Sequence, residues 1–159
     1  MKHSLKIGFS FGSTSGVITT LGLIIGLYYS TQSELAVIGG IISIAIADAL
    51  SDAMGIHMSE ESEHKHSHKE IWESTLSAFA CKFIFAITFI IPVLLLEMQK
   101  AIQASIVWGL FLVAAISYYV AKKRQKYKAV IEHLIITAFV IIITYFVGKW
   151  IHTTFGVIA

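Results

Sequence analysis

Residues 35–56 read LAVIGGIISIAIADALSDAMGI, 22 residues without a Lys, Arg, Glu or Pro. About 20 such residues cross the hydrocarbon core of a bilayer as a helix. Lipid offers no partner to a free backbone amide, so the segment is expected to be helical throughout. It also carries Asp48 and Asp52. Four residues apart on a helix, they share one face. A carboxylate at mid-bilayer costs roughly 2.5–3.5 kcal/mol on insertion scales. Such groups face a bundle interior or a polar cavity, pair up, and mark ion paths. Neighbouring carboxylates repel, so the pair shares a proton or holds a dication in its place. Asp48 is the deeper of the two. Asp52 lies about one turn from the edge.

Four similar stretches surround this one, at Ile7–Tyr29, Leu76–Leu96, Ala101–Ala121 and Ala129–Ile151. Five spans leave little of a 159-residue chain for anything else. The expected fold is all-α: a single five-helix transmembrane domain over residues 1–159. Composition agrees, since 56% of residues are hydrophobic and 14% charged, against about a quarter charged in soluble domains. The lone Cys81 excludes a disulfide scaffold. A net charge of +2 leaves no nucleic-acid footprint. The first apolar run follows Lys2 and Lys6 but is too long for a signal peptide and lacks a cleavage site, so it reads as a retained helix.

Lys and Arg set the orientation. With the N-terminus in the cytoplasm, the inner side holds Lys2, Lys6, Lys65, Lys69, Lys122, Lys123, Arg124, Lys126 and Lys128; the outer side holds Lys100 and Lys149. That is a positive-inside distribution. The expected setting is a multi-pass protein of a prokaryotic plasma membrane. Short outer links, Ser30–Glu34 and Glu97–Lys100, predict tight hairpins. Thr31-Gln-Ser-Glu34 reads as a capping box for the second helix, and Ser67-His-Lys-Glu70 as one for the third. Pro92 predicts a kink in the third span.

The inner segment 57–75 is the most polar part of the chain. It holds Glu60, Glu61, Glu63, Glu70 and Glu73, with His57, His64, His66 and His68. Carboxylates with imidazoles suit Fe2+, Mn2+ or Zn2+, and His-rich tracts are compositional metal signals. Two readings stand: a metal-contacting segment, or a solvated acidic hairpin in which Glu70 serves only its cap. The flanking helices are expected to project from the membrane, the second to about Glu63.

Lys82 lies within the third span. Either it snorkels to the interface, or it pairs with Asp48 or Asp52. In the second case it opposes a dication and acts as a substitute cation displaced on loading. Glu132 and His133 start the fifth span and read as interfacial. Gly8, Gly12 and Gly16 form a small-residue ridge, continued by Gly22 and Gly26. Such ridges bring helices close, and the same helix offers hydroxyl oxygens at Ser13, Thr14 and Ser15.

These pieces resemble the vacuolar iron transporter family over nearly the whole chain. Phe11-Gly-Ser-Thr-Ser-Gly-Val-Ile-Thr-Thr-Leu-Gly-Leu-Ile-Ile-Gly-Leu27 is similar to its first-helix signature. Ser51-Asp-Ala-Met-Gly-Ile-His-Met-Ser59 is similar to the end of its second helix, Pro92 to the proline of its third, and Thr144-Tyr-Phe-Val-Gly148 to its fifth-helix motif. The resemblance implies five helices, a homodimer whose interface lines the path, and exchange of Fe2+ or Mn2+ for protons. It also exposes departures. The family's first-helix metal-binding Asp is Ser15 here, its second-helix Met is Asp52, and the following Glu is Ile56.

The expected function is therefore a proton-coupled antiporter exporting divalent iron or manganese from the cytosol. The candidate metal residues are Asp48, Asp52, Glu60, Glu61, Glu63, His64, His66, His68, Glu70 and Glu73; the candidate path is Ser15, Asp48, Asp52 and Lys82. The metal is cargo, with Zn2+ a third candidate, and no resident cofactor is expected. The alternative is a non-transporting membrane metal sensor or interaction protein. An enzyme is not expected, since there are no spaced His boxes and no G-x-S-x-G.

Overall fold

Glycine decides where the first helix lies. In the computed structural model, which describes residues 2–122 and 124–156, α1 runs His3–Thr31. Its Gly8, Gly12 and Gly16 meet Ser74, Ala78 and Lys82, spaced at the same interval of four on α4 (His68–Thr88). A Cβ on Gly8 or Gly12 would collide with the carbonyl oxygen of Ser74 or Ala78, and one on Gly16 would sit 2.9 Å from that of Lys82. The two helices thus run parallel in backbone contact, as small-xxx-small ridges permit in lipid. Farther along, Gly22 faces Val140 and Gly26 faces Thr144 of α7 (Lys126–Phe155). A Cβ on Gly148 of α7 would lie 2.7 Å from the Gly26 carbonyl oxygen. The whole glycine series is spent inside one chain, leaving α1 at the bundle centre with Val17, Leu21 and Ile24 fully buried.

Five helical segments are long and apolar enough to cross a membrane: His3–Thr31, Glu34–Ser62, His68–Leu95, Met98–Val120 and Lys126–Phe155. All five expected spans are present, and no strand occurs among the described residues. The second span comprises α2 (Glu34–Ser43), a π turn (Ile44–Asp48) and α3 (Ala49–Ser62). Its buried face is Val37, Ile41, Ala45, Ala49 and Ala53. A four-residue interval walks about 40° per step around a straight 3.6-residue helix. The wider winding of the π turn absorbs part of that drift, and such turns often sit at functional sites. This one ends on Asp48.

The third span breaks where its proline requires. Pro92 has no N–H for the Thr88 carbonyl, and its ring crowds that group. Helix α4 therefore closes with the Phe89 N–H on the Ala86 carbonyl, 3.2 Å. A short α5 (Ile90–Leu95) follows, then α6 (Met98–Val120).

One cap is where it was expected and one is not. At α4 the Glu70 N–H donates to Ser67 Oγ, while Ser67 N–H and O–H both donate to Glu70 Oε2. At α2 the cap is Ser33, whose Oγ accepts from the Ala36 N–H, 3.2 Å. Thr31 is still helical and donates to the Leu27 carbonyl. An N-cap needs extended backbone, and Ser33 has it while Gln32 takes the left-handed turn ending α1.

Candidate functional site

Three helices bring one cation and two anions together. Lys82 on α4 is 1% exposed, and its Nζ pairs with Asp48 Oδ2 and Asp52 Oδ2 of the second span. It also donates to Ser15 Oγ of α1 at 3.0 Å, and Ser15 O–H donates to Asp52 Oδ2 at 2.7 Å. Ser15 is thus a polarised bridge, taking one bond from the ammonium and giving one to the carboxylate. The Asp48 contact is an ion pair without a directed hydrogen bond. The ridge is what delivers these groups. Gly16 lets the Lys82 backbone approach α1, placing Ser15 beside the ammonium.

Of the two readings of Lys82, the ion pair is the one formed. A charge taken out of water must be paired, and Asp48, Asp52 and Ser15 supply the partners. With ionised carboxylates the cluster carries one surplus negative charge. The side chains of Asp48 and Asp52 remain 34% and 22% exposed.

The segment 57–75 is organised differently. Its glutamates are largely engaged one at a time. Glu73 accepts from Lys2 Nζ (3.0 Å) and Ser4 Oγ (2.9 Å). Glu70 belongs to its cap, and Glu63 lies 3.7 Å from Lys65. Glu60 is 7% exposed, with Oε2 3.8 Å from His66 Nε2. Glu61, His64 and His68 are exposed, and His64 adopts the left-handed turn between the helices. Glu70 and Glu73 stand on the part of α4 preceding the apolar run. The Ser67 backbone N–H, then its hydroxyl, hold the Glu70 carboxyl below its ordinary value. Lys2, then Ser4, do the same for Glu73. Among the described residues no three His, Cys, Asp or Glu side chains converge on one point where an ion would sit.

Sequence reasoning missed two residues here. His3 stacks on His66 with ring centroids 6.3 Å apart, so the start of α1 packs onto the acidic segment. His133, read as interfacial, turns inward to Ser117, Nδ1 to Oγ 2.8 Å. Ser117 also donates to the Val113 carbonyl, which leaves its Oγ free to accept from the imidazole. The inner half-turn position of His133 was visible only through its partner helix. Met54 and Met58 are exposed on α3.

Comparison with curated proteins and with solved structures found no match. A family model does match, that of the VIT family, over residues 56–149. The match takes in the acidic segment, Lys82 and His133, and leaves out α1 and the two aspartates. It covers more than half of the chain. The chain therefore belongs to the VIT family, the vacuolar iron transporters, whose members carry metal ions across membranes.

Proposed function

We propose that this protein exchanges a divalent first-row cation, Fe2+ or Mn2+, for protons across the membrane. The reading rests on one observation: a buried ammonium held by two membrane carboxylates and a serine. Lys82 occupies the position a metal ion would take. A dication and an ammonium about 4 Å apart repel by on the order of 8 kcal/mol at an effective dielectric near 20. Both cannot stay. Loading therefore requires Lys82 to swing away or to give a proton to water. If it gives the proton, Asp48, Asp52 and the ion form a neutral unit, and one proton leaves per ion loaded. Reprotonation of Lys82 from the opposite side would return the ammonium and expel the ion. This replaces the proton shared between carboxylates with a proton carried by lysine.

The orientation that places the N-terminus in the cytosol puts segment 57–75 on the loading side. There Glu60, Glu61 and Glu63, with His64, His66 and His68, would raise the local cation concentration. Glu70 and Glu73 serve the start of α4 instead. A homodimer completes the reading. One chain offers two carboxylates and one hydroxyl, too few donors for Fe2+ or Mn2+. The exposed flanks of both aspartates would face hydrocarbon at a cost of a few kcal/mol unless covered. A second copy and water would supply both the cover and the missing ligands.

The sensor reading is favoured by the Lys82 pairing, which gives the ammonium three partners without any ion. The discriminating measurement is anaerobic Fe2+ uptake in proteoliposomes, with a trapped metal dye and a pH dye. Metal moving against protons, lost in Asp48→Asn with Asp52→Asn, supports the antiporter. Metal binding without flux in the folded protein rejects it in favour of the sensor.

A further inference from the structure

Between α1, α6 and α7, with Ile56 of α3 at its edge, lies an open cavity of about 790 Å3 that touches the proposed metal path only at Ser15. That volume is in the usual range of ligand sites, about 300–1,000 Å3. Ile7, Phe11, Ile18, Ile56, Ile116 and Val120 give it a mostly apolar lining, with Thr14 and His133 among its polar members. The hydroxyls in its wall add little polarity. Ser10, Thr19 and Ser117 donate to carbonyls of their own helices, and Ser15 donates to Asp52. The interior thus suits a hydrocarbon chain better than a hydrated ion.

The rim is cationic. Residues 122–128 read KKRQKYK, five Lys or Arg in seven positions with no acid. Lys122 and Gln125 themselves line the cavity, and a backbone bond from the Gln125 N–H to the Lys122 carbonyl draws them together. Lys126 lies over the Tyr118 ring and Lys128 is 3.7 Å from Glu132. Lys122, in the lining, and Arg124, two residues on, are both exposed. Basic pockets between transmembrane helices bind anionic headgroups. A dication, by contrast, is repelled by this rim.

We propose that the cavity between α1, α6 and α7 holds an anionic phospholipid, its acyl chain against Phe11 and Ile116 and its phosphate at Lys122, Gln125 and Arg124. The headgroup would sit at the end of the bundle where the acidic segment also lies. The site is independent of whether the protein transports metal, and its test needs no flux.

The test is lipid retention by the full-length protein, measured by native mass spectrometry. Phosphatidylglycerol and phosphatidylcholine with identical chains are compared, with inorganic phosphate as the chain-free control. The expected result is a preference for phosphatidylglycerol of about tenfold, with no comparable binding of inorganic phosphate. Lys122→Gln with Arg124→Gln should bring the preference to about twofold or less. Ala129→Phe, which fills the cavity without touching charge, should lower retention of both lipids. Equal retention of the two lipids by the unaltered protein overturns the proposal. So does inorganic phosphate binding as well as the lipid, which would make the rim a free-phosphate site. If Ala129→Phe leaves lipid retention intact and instead dissociates an oligomer, a second copy covers this face and the proposal fails. The rim variants are exposed and carry the test even if Ala129→Phe does not fold.

Discussion

The molecule has two acidic regions, and they are built on opposite principles. Segment 57–75 has five glutamates but distributes them: one to a cap, one to Lys2 and Ser4, one near Lys65, one beside His66. The membrane pair has two aspartates and aims both at one ammonium. Density of acidic residues is therefore a poor guide to a site. What separates the regions is solvent. In water the exposed glutamates are satisfied at little cost, and the buried Glu60 has His66 beside it. In lipid an unpaired carboxylate is expensive, so the helices must bring a counter-charge to it. The glycine ridge, which sets Lys82 against α1, is the part of the fold that does so.

The strongest way to break this contrast is to remove the shared cation. Lys82→Met leaves two carboxylates unpaired at membrane depth and should lower stability by about 3–5 kcal/mol. Thermal unfolding in detergent reads it. Adding Asp52→Asn to Lys82→Met should recover much of the loss, because the pair interacts and the two changes are not additive. If Lys82→Met is as stable as the parent, the ammonium is not what holds the cluster.

Within the pair, the aspartates are unequal. Asp52 is bound by both Lys82 and Ser15, whereas Asp48 has the ion pair alone. Asp52→Asn should therefore destabilise more than Asp48→Asn. Asp48→Asn should impair Fe2+ flux while leaving the fold closer to intact. Equal losses of stability would show that the serine bridge contributes nothing.

The acidic segment should respond weakly in stability. Glu61→Gln with Glu63→Gln changes exposed side chains and should stay within about 0.5 kcal/mol of the parent. Flux at low Fe2+ should fall, with less effect near saturation, if these groups only concentrate the ion. A loss undiminished at saturating Fe2+ would place a ligand in this segment and narrow the contrast between the two regions.

Much of this was legible from residue types. Hydropathy fixes the five spans because lipid permits no other answer, and Ser67-x-x-Glu70 marks the start of α4 because a helix end needs those donors and acceptors. Asp48, Asp52 and Lys82 were visible as charges that must find one another. Partner identity was not visible. A glycine ridge says that a backbone comes close and not which one; Gly8, Gly12 and Gly16 fitted a dimer seam as well as α4. Thr31 and Ser33 both offer a hydroxyl before Glu34, and only the backbone turn at Gln32 selects Ser33. His133 looked interfacial because its partner, Ser117, stands on another helix. The π turn at Ile44–Asp48 left no mark in the hydropathy, since its residues are as apolar as their neighbours.

The smallest effect expected concerns Glu70, and it bears on whether a carboxylate committed to a cap is free to bind metal. The Ser67 N–H and hydroxyl favour its charged form, so its carboxyl titrates below the ordinary value of 4.5 in the folded protein. A depressed carboxyl contributes stability that is complete above its unfolded value and drains as pH falls through its folded one. Protection against hydrogen exchange at residues 68–71, taken relative to the intrinsic rate at each pH, should therefore be steady above pH 4.5 and fall below it. Glu73 titrates in the same direction through Lys2 and Ser4, so Glu70→Gln alone should remove part of the response and Glu70→Gln with Glu73→Gln the rest. Glutamine can still accept from the Ser67 N–H, so the cap itself survives the substitution. Mn2+ that bound through Glu70 would have to take the carboxylate from Ser67 and loosen this turn. Protection unchanged by Mn2+ at neutral pH is the expected outcome, and it would leave Glu70 a structural carboxylate. Loss of protection on adding Mn2+ would show that the local bonds of the acidic segment yield to an ion as readily as the Lys82 pairs are proposed to do.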